Sequence, residues 1–339
     1  MRTEDFAFDL PAGLIAQQPA EPRDSARLMV VRIATGAIEH RHVSDLPGLL
    51  SPGDLLVVND TRVMAARLFG RREDTGGAVE ALLLRPFTNL RWEVMFRPAK
   101  RAIPGRRFVF DTRGGPITAT VAARQDENVT LDFDCPFDPA TVGSVPLPPY
   151  IHDYHGDPER YQTVYSREPR SSAAPTAGLH FTPGLLAALD DRGLERTAVT
   201  LEVGPGTFKP VQVEDPRDHQ LHAEHITVPA AAANAITRAR DESRRIAAVG
   251  TTVVRTLEHV ARERHAIEPY AGWTSLRILP GDEFRVVDVL MTNFHLPRST
   301  LLMLVCAFGG PGLVLDAYRE AVRAEYRFYS FGDAMLLLP

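Results

Sequence analysis

RLFGRREDTGGAVEALLLRPFTNLRWEVMFRPAKRAIPGRRFVFDTRGGPITATVAARQDENVTLDF runs from Arg67 to Phe133 and carries no convincing helix. It breaks into short runs of strand character: Arg67 to Arg71, Val79 to Leu84, Trp92 to Phe96, Arg107 to Phe110, Ile117 to Ala122 and Val129 to Phe133. Gly76-Gly77, Pro104-Gly105, Gly114-Gly115 and Asp126-Glu127-Asn128 separate them. Short strands at this spacing, with turn signals between them, predict a small barrel. Outward on both sides the texture changes. The expected architecture is an α/β main domain, a mixed sheet with helices on its faces, built from residues 1–61 plus 146–339. A small β-barrel of residues 62–145 is inserted into it.

The flanks alternate strands and helices, which argues a sheet covered by helices. Before the barrel, Pro11 to Gln17 reads as a short helix. Leu28 to Ile33 and Ile38 to Val43 read as a hairpin around Ala34-Thr35-Gly36-Ala37, and Leu55 to Val58 as a strand. Ser44 is placed to cap a helical turn through Leu50. After the barrel, Thr182-Pro183 starts a helix that Gly193 stops. Ala198 to Val203 is a strand, Ala230 to Arg240 a helix, Ile246 to Val249 a strand and Thr252 to Arg262 a helix. Leu276 to Leu279 and Phe284 to Met291 are expected strands. Ser299 or Thr300 caps a helix through Phe308, and Leu313 to Tyr326 is a final amphipathic helix.

The chain has 339 residues, 44% hydrophobic and 24% charged, with a formal net charge of −5. Such a composition is ordinary for a globular protein of about two domains. Bulk charge does not announce a nucleic-acid partner, so any phosphate contacts must come from a local basic patch. Arg97 and Lys100, in an Arg-rich part of the barrel, are the candidates. Cys135 and Cys306 have no metal or redox spacing and read as inert buried thiols. The acidic N-terminus lacks a signal-peptide core, and Leu301 to Phe308 is far short of the ~20 residues of a membrane span. The expectation is a cytoplasmic protein with no membrane contact.

Proton-transfer groups crowd one stretch, Ala173 to His225, in APTAGLHFT (Ala174 to Thr182), VGPGTFKPV (Val203 to Val211) and EDPRDHQLHAEH (Glu214 to His225). Dense glycine, His and Glu with few apolar runs suit the floor of an active site. Asp218-His219-x-x-His222-x-Glu224-His225 admits three readings: a zinc site, a satisfied structural cluster, or metal-free acid–base and ligand contacts. The last is favoured, because no helix supports the spacing. Val249-Gly250-Thr251-Thr252 joins a strand to a helix start, where free N–H groups and the helix dipole favour an anion; a plain helix cap is the alternative. Thr292-Asn293-Phe294-His295 also sits between a strand and a helix. Asn293 and His295 could hydrogen-bond a base or a carboxylate, and Phe294 could stack on a base or lie in the core. Asn59-Asp60-Thr61-Arg62 follows a strand's carboxyl end, where open sheets place ligands, or is a turn held by Asp60. The absence of G-x-G-x-x-G gives no support to a dinucleotide site.

These segments resemble the signature stretches of the S-adenosylmethionine:tRNA ribosyltransferase-isomerases of queuosine biosynthesis. LLVVNDTRVMAARLFG (Leu55 to Gly70), PLPPYI (Pro146 to Ile151), ERYQTVYS (Glu159 to Ser166), VGTTVVRTLE (Val249 to Glu258), TNFHLPRSTLLMLV (Thr292 to Val305) and YRFYSFGDAM (Tyr326 to Met335) match as well, in family order over nearly the whole chain. The resemblance implies an inserted barrel, tRNA and S-adenosylmethionine as substrates, no separate cofactor or metal, and a monomer. It implies transfer and isomerisation of the ribosyl group onto 7-aminomethyl-7-deazaguanine at the tRNA wobble position. His222, Glu224, His180 and His295 become the catalytic candidates. His222 and Glu224 are taken as a pair on one strand face. Asn59, Asp60, Arg62, Thr176, Gly178, Gly206, Thr207, Gly250, Thr251, Thr252, Arg255, Asn293 and Phe294 become substrate contacts. Many family members carry His where Glu202 stands here. Two other classes fit parts of the sequence: a metal-dependent hydrolase fits the His/Glu density, and a non-catalytic RNA-binding protein fits the barrel and its aromatic residues.

Overall fold

The computed structural model describes residues 1–112, 114–125, 128–148, 150–204 and 211–339. They divide into two units. Met1–Arg62, Pro149–Glu168 and Ala174–Pro339 form the first; Val63–Pro148 and Pro169–Ala173 form the second. The sequence placed Pro169–Ala173 with the α/β part. It joins the barrel unit, where Ser171 O accepts the Met64 N–H at 2.8 Å.

The chain opens with β1 (Arg27–Arg32), β2 (Ala37–His42), a single turn α1 (Leu46–Leu49), β3 (Leu55–Asn59) and β4 (Arg62–Val63). The barrel strands follow: β5 (Arg67–Arg72), β6 (Ala78–Pro86), β7 (Arg91–Arg97), β8 (Arg107–Asp111), β9 (Ile117–Gln125) and β10 (Asn128–Phe133). A one-turn helix α2 (Pro139–Val142) and the short β11 (Pro169–Ser171) lead to α3 (Pro183–Asp191), β12 (Glu195–Leu201), β13 (Glu224–Val228), α4 (Ala230–Asp241) and β14 (Ile246–Val249). The chain ends with α5 (Thr251–Arg264), β15 (Tyr270–Thr274), β16 (Val289–Asn293), α6 (Thr300–Gly309), α7 (Pro311–Arg323) and β17 (Ala334–Leu338).

In the first unit, nine strands form a mixed sheet in the order β15-β13-β12-β3-β14-β16-β17-β1-β2. β12, β3, β14 and β16 are parallel neighbours, and β17 runs antiparallel to β16. Every residue of β3, β14, β16 and β17 is buried. Strands covered on both faces read as continuous apolar runs, as LLVV, IAAV and AMLLL do here. Each such Leu or Val contributes about 1.5–3 kcal/mol by leaving water. The helix ends follow local chemistry: Thr182 Oγ1 accepts the Leu185 N–H at 3.0 Å, and Ser299 Oγ accepts that of Leu302 at 3.2 Å. Among the described residues no single helix is long and apolar enough to cross a membrane.

The second unit is a closed six-stranded barrel in the order β10-β7-β6-β5-β8-β9. Alternate residues point inward, so Val94, Phe96, Phe108, Phe110, Val129 and Leu131 fill its core. Its surface is largely self-neutralised. Arg67, Arg71, Arg72, Arg85, Arg91 and Arg107 each pair with a carboxylate. Arg97, Lys100, Arg101 and Arg106 have no carboxylate partner among the described residues, and they lie in one segment.

Several expected elements differ. Pro11 to Gln17 contains only a 3-10 turn, Ala12–Leu14. Ser44 caps nothing: it lies inside the 3-10 turn Val43–Asp45. Cys135 is exposed; only Cys306 is buried, and burial pushes its thiol up to about 12. β15 and β17 are strands that the sequence pattern does not predict. Leu276 to Leu279 is not a strand, and Phe284 to Met291 is extended only from Val289. The buried Glu258 carboxylate of α5 explains the second difference. It accepts the backbone N–H groups of Arg285, Val286 and Val287 at 2.9, 3.0 and 3.2 Å. A side chain thus satisfies donors that a neighbouring strand would otherwise take.

Glu258→Gln puts an amide N–H₂ where one of those donors needs an acceptor. Hydrogen bonds to charged groups contribute about 1.5–3 kcal/mol, so the variant is expected to lose about 2 kcal/mol in urea unfolding at pH 7. An unchanged midpoint would show that the Arg285–Val287 segment is held by its packing alone.

Candidate functional site

The carboxyl ends of the parallel strands deliver Asn59, Val203, Gly250 and Asn293 to one end of the sheet. A cleft of about 520 Å³, counted to its open mouth, lies there within the first unit. Thr176, Gly250, Thr251, Thr252, Asn293, Phe294 and His295 line it, joined by Tyr150, Val203, Tyr329 and Ser330. The topology thus brings together candidates more than a hundred residues apart in sequence.

Asn59 is the buried joint behind the cleft. Its Nδ2 donates to Leu201 O at 3.1 Å and Thr252 Oγ1 at 3.2 Å, and its Oδ1 accepts the Thr61 and Leu201 N–H groups at 3.1 Å each. With its amide fully used, Asn59 orders β3, β12 and the start of α5. Asp60 accepts from Thr200 Oγ1 at 2.6 Å and faces Arg167 at 3.5 Å. Arg62 is held by Ser166 and an ion pair with Glu159. Both are structural contacts of the β3 end. Gly178 lies in the 3-10 turn Thr176–His180, and a Cβ there would sit 2.1 Å from Tyr165 Oη. Close packing explains this glycine without a ligand. Gly206 and Thr207 lie outside the described residues.

Gly250, at φ 93°, is the N-cap of α5 and brings no side chain to the first helical N–H groups. The 14-residue α5 therefore presents its positive dipole end to the cleft. Opposite, Asn293 Oδ1 accepts from Thr176 Oγ1 at 2.8 Å, and its Nδ2 donates to Tyr329 O at 3.2 Å. Tyr150 stands against Tyr329, their ring centroids 3.8 Å apart, and bonds to Ser330. Tyr329 and Ser330 were missed as site residues; only their place in YRFYSFGDAM hinted at them.

The histidines sort by their hydrogen bonds. His180 is buried, with Nδ1 at 3.1 Å from Ala177 O and Nε2 at 3.0 Å from Gly332 O. Burial lowers its pKa, and the two carbonyls offset this only in part. A neutral imidazole carries one N–H, so His180 donates to one of these carbonyls at a time, and its buried ring bridges the two loops they belong to. His295 bonds through Nε2 to Thr292 Oγ1 at 2.9 Å, while its Nδ1 has no hydrogen bond among the described residues. Burial holds its imidazole down at about 3, so it is neutral at pH 7. Phe294 is fully buried among Tyr318, Tyr326 and Phe328, which makes it core and not a base-stacking face.

The expected His222–Glu224 pair lacks its premise. β13 begins at Glu224, so His222 precedes the strand and is exposed, whereas Glu224 is buried. Glu224 forms an ion pair with the buried Arg255, and its Oε1 accepts the Gly204 N–H at 3.0 Å. Arg255 also donates to Leu276 O at 3.0 Å. Arg255 and Glu224 thus position the strand-end backbone. Glu202 faces His225 at 3.6 Å, both partly exposed. Among the described residues no three His, Cys, Asp or Glu groups gather closely enough to hold a metal ion.

The family model for queuosine biosynthesis proteins matches residues 3–337. A Symbiobacterium thermophilum protein named S-adenosylmethionine:tRNA ribosyltransferase-isomerase is 54% identical over the full length of both chains. A Moorella thermoacetica protein of the same name is 51% identical, again over both full lengths. The crystal structure of an S-adenosylmethionine tRNA ribosyltransferase from Thermotoga maritima is 39% identical, covers 98% of this chain and 100% of its own, and superposes with a TM-score of 0.58.

His295 makes a pH signature. Its native pKa of about 3 lies below the ~6.5 of an unfolded histidine, so the unfolded state binds the extra proton between those values. The stability it contributes is complete above pH ~6.5 and is lost as pH falls toward 3. His295→Gln is expected to have a shallower loss of unfolding free energy from pH 6.5 to 4.5, by up to about 1.4 kcal/mol per pH unit. Parallel curves for the two proteins would show that His295 titrates normally.

Proposed function

The chain belongs to the queuosine biosynthesis protein family, and we propose that it is an S-adenosylmethionine:tRNA ribosyltransferase-isomerase. It transfers and isomerises the ribosyl group of S-adenosylmethionine onto 7-aminomethyl-7-deazaguanine at the tRNA wobble position. The product is epoxyqueuosine in tRNA, and adenine and methionine leave. Full-length identity above 50% to relatives of that name is the observation that carries this reading. The cleft at the carboxyl ends of β3, β14 and β16 is where an open sheet places a small substrate. S-adenosylmethionine is a co-substrate and no other cofactor is required. The same reading makes the protein a cytoplasmic monomer.

The reaction needs few groups. A sulfonium acidifies the C5′ protons beside it, so one base forms an ylide. Ring opening expels adenine, aided by an acid at a purine nitrogen. The aminomethyl group attacks once it has lost a proton, and an alkoxide closes the epoxide and displaces methionine. His295 lines the cleft and its Nδ1 has no hydrogen bond among the described residues, so it is the acid–base candidate with an uncommitted atom, although burial makes it a weak base. His180 faces two backbone carbonyls, and Glu224 is paired with Arg255. On the barrel, Arg97 and Lys100 are the phosphate contacts this reading prefers, because they lack the carboxylate partners that neutralise their neighbours.

Purified protein given S-adenosylmethionine and tRNA bearing the aminomethyl base is expected to release adenine in step with ribosyl incorporation into the tRNA. Adenine release independent of the modified tRNA, or none, would overturn the reading. Arg97→Ala with Lys100→Ala is expected to weaken tRNA binding and lower its salt slope by about one to two, leaving S-adenosylmethionine binding unchanged. An unchanged slope would remove the barrel from the phosphate interface.

A further inference from the structure

The edge strand β15 of the nine-stranded sheet leaves a large aromatic side chain in water. Trp273 is 57% exposed, and among the described residues it is the only exposed Phe, Tyr or Trp of the first unit. The backbone fixes which way it faces. Glu224 of β13 pairs with Arg255 of α5, and Tyr270 of β15 bonds to His259 of α5 at 3.2 Å, so α5 covers the face that carries them. Side chains alternate along a strand, which puts Trp273 and its cross-strand partner His225 on the other face. There the two rings meet edge to face, with centroids 5.3 Å apart and planes at 77°. His225 also faces Glu202, at 3.6 Å. The indole is braced by one neighbour and otherwise open.

Its place matters as much as its exposure. His225 O accepts the Glu202 N–H at 2.9 Å, and the next residue, Val203, lines the cleft. β15 lies two strands from β12, about 10 Å at the usual strand spacing. A base held on Trp273 would belong to a nucleotide close to the one in the cleft. An indole takes the π-face of any base, and the Glu202–His225 pair offers polar atoms to a base edge. Just past the strand, the Arg277 guanidinium donates to His219 O, which fixes a cation at this end of β15 for the backbone of the same nucleic-acid strand.

We propose that Trp273 is a stacking platform for an unpaired tRNA base neighbouring the one that is modified. This rests on the function proposed above and goes beyond it by naming where a second base is held.

Fluorescence of the full-length protein with tRNA bearing the aminomethyl base tests it. The chain has two tryptophans, and Trp92 is buried in the barrel, so Trp273 supplies the emission that acrylamide reaches. Saturating tRNA is expected to shield that emission from acrylamide in the wild type. It is expected to change nothing in Trp273→Phe, whose emission comes from Trp92 alone. Trp273→Leu keeps an apolar side chain without a π-face and is expected to bind the tRNA about tenfold more weakly, the scale of one base–aromatic stack. Trp273→Phe is expected to fall between the two. The salt slope of binding and the affinity for S-adenosylmethionine are expected to stay at wild-type values, because no phosphate contact is lost.

Emission that stays open to acrylamide in the wild-type complex overturns the assignment without any variant. Equal tRNA affinities of the wild type and Trp273→Leu overturn it too. A lower salt slope in Trp273→Leu would mean that the indole positions the backbone. Altered sedimentation at wild-type tRNA affinity would mean that it packs against a second copy of the chain. Either result removes the stacked base. If the wild type releases adenine with this tRNA but shows no stack, only this proposal falls; if it neither binds nor turns over the tRNA, the proposed function falls with it.

Discussion

The Asn59 side chain is the constraint on which the site depends. One buried amide ties the end of β3 to both backbone groups of Leu201 on β12 and to the Thr252 hydroxyl on α5. Leaving a buried donor or acceptor unmade costs about 1–3 kcal/mol. Strand ends and helix start therefore adopt one arrangement together. Asn293 repeats the device at the end of β16, with Thr176 and Tyr329 as partners. β14 lies between β3 and β16 and ends in Gly250, which has no side chain to give. The saturated Asn59 and the half-used Asn293 flank one bare helix start, and the cleft is what remains open between them.

Charge is handled differently in the two units. The barrel wears its arginines outside, mostly paired with carboxylates on neighbouring strands. Such exposed pairs contribute little to stability, typically 0–1 kcal/mol each; their larger effect here is to cancel positive field, while among the described residues Arg97, Lys100, Arg101 and Arg106 stay without a carboxylate partner. The α/β unit buries a charge pair, Arg255 with Glu224. Removing one partner of a buried pair costs several kcal/mol, because the other is left desolvated. Arg255 is thus part of the frame around the site even though the sequence suggested a ligand contact.

Much of this was legible in the chain. Six alternating runs between turn pairs made the barrel plain, since a closed sheet has one buried face and a period of two. The strands β3 and β14 and the helices α3 to α7 announced themselves through apolar runs, caps and glycine stops. The cleft was legible only as fragments. Thr176, Gly250 and Asn293 were singled out by residue type and position, and the sheet order brought them together. What failed was what depends on partners distant in sequence. Nothing near His180 reveals that Gly332 O faces its Nε2. Nothing near Phe284 reveals that Glu258 replaces a strand neighbour. The His222–Glu224 pairing assumed a strand that begins two residues later.

Among the described residues no ionised side chain lines the cleft, and this has a chemical consequence for the proposed reaction. Burial holds His295 neutral, and it pushes the Tyr329 phenol up to about 12, so neither carries charge near pH 7. A sulfonium bound here meets no carboxylate among the lining residues. A paired anion would stabilise the cationic ground state and make the adjacent C–H bonds less acidic. Dipoles that bind other parts of the substrate hold the molecule in place without touching that charge. The binding interactions then act far from the reacting centre and leave the sulfonium as acidifying as it is when unpaired. That is how remote binding can serve catalysis without stabilising the group that must react.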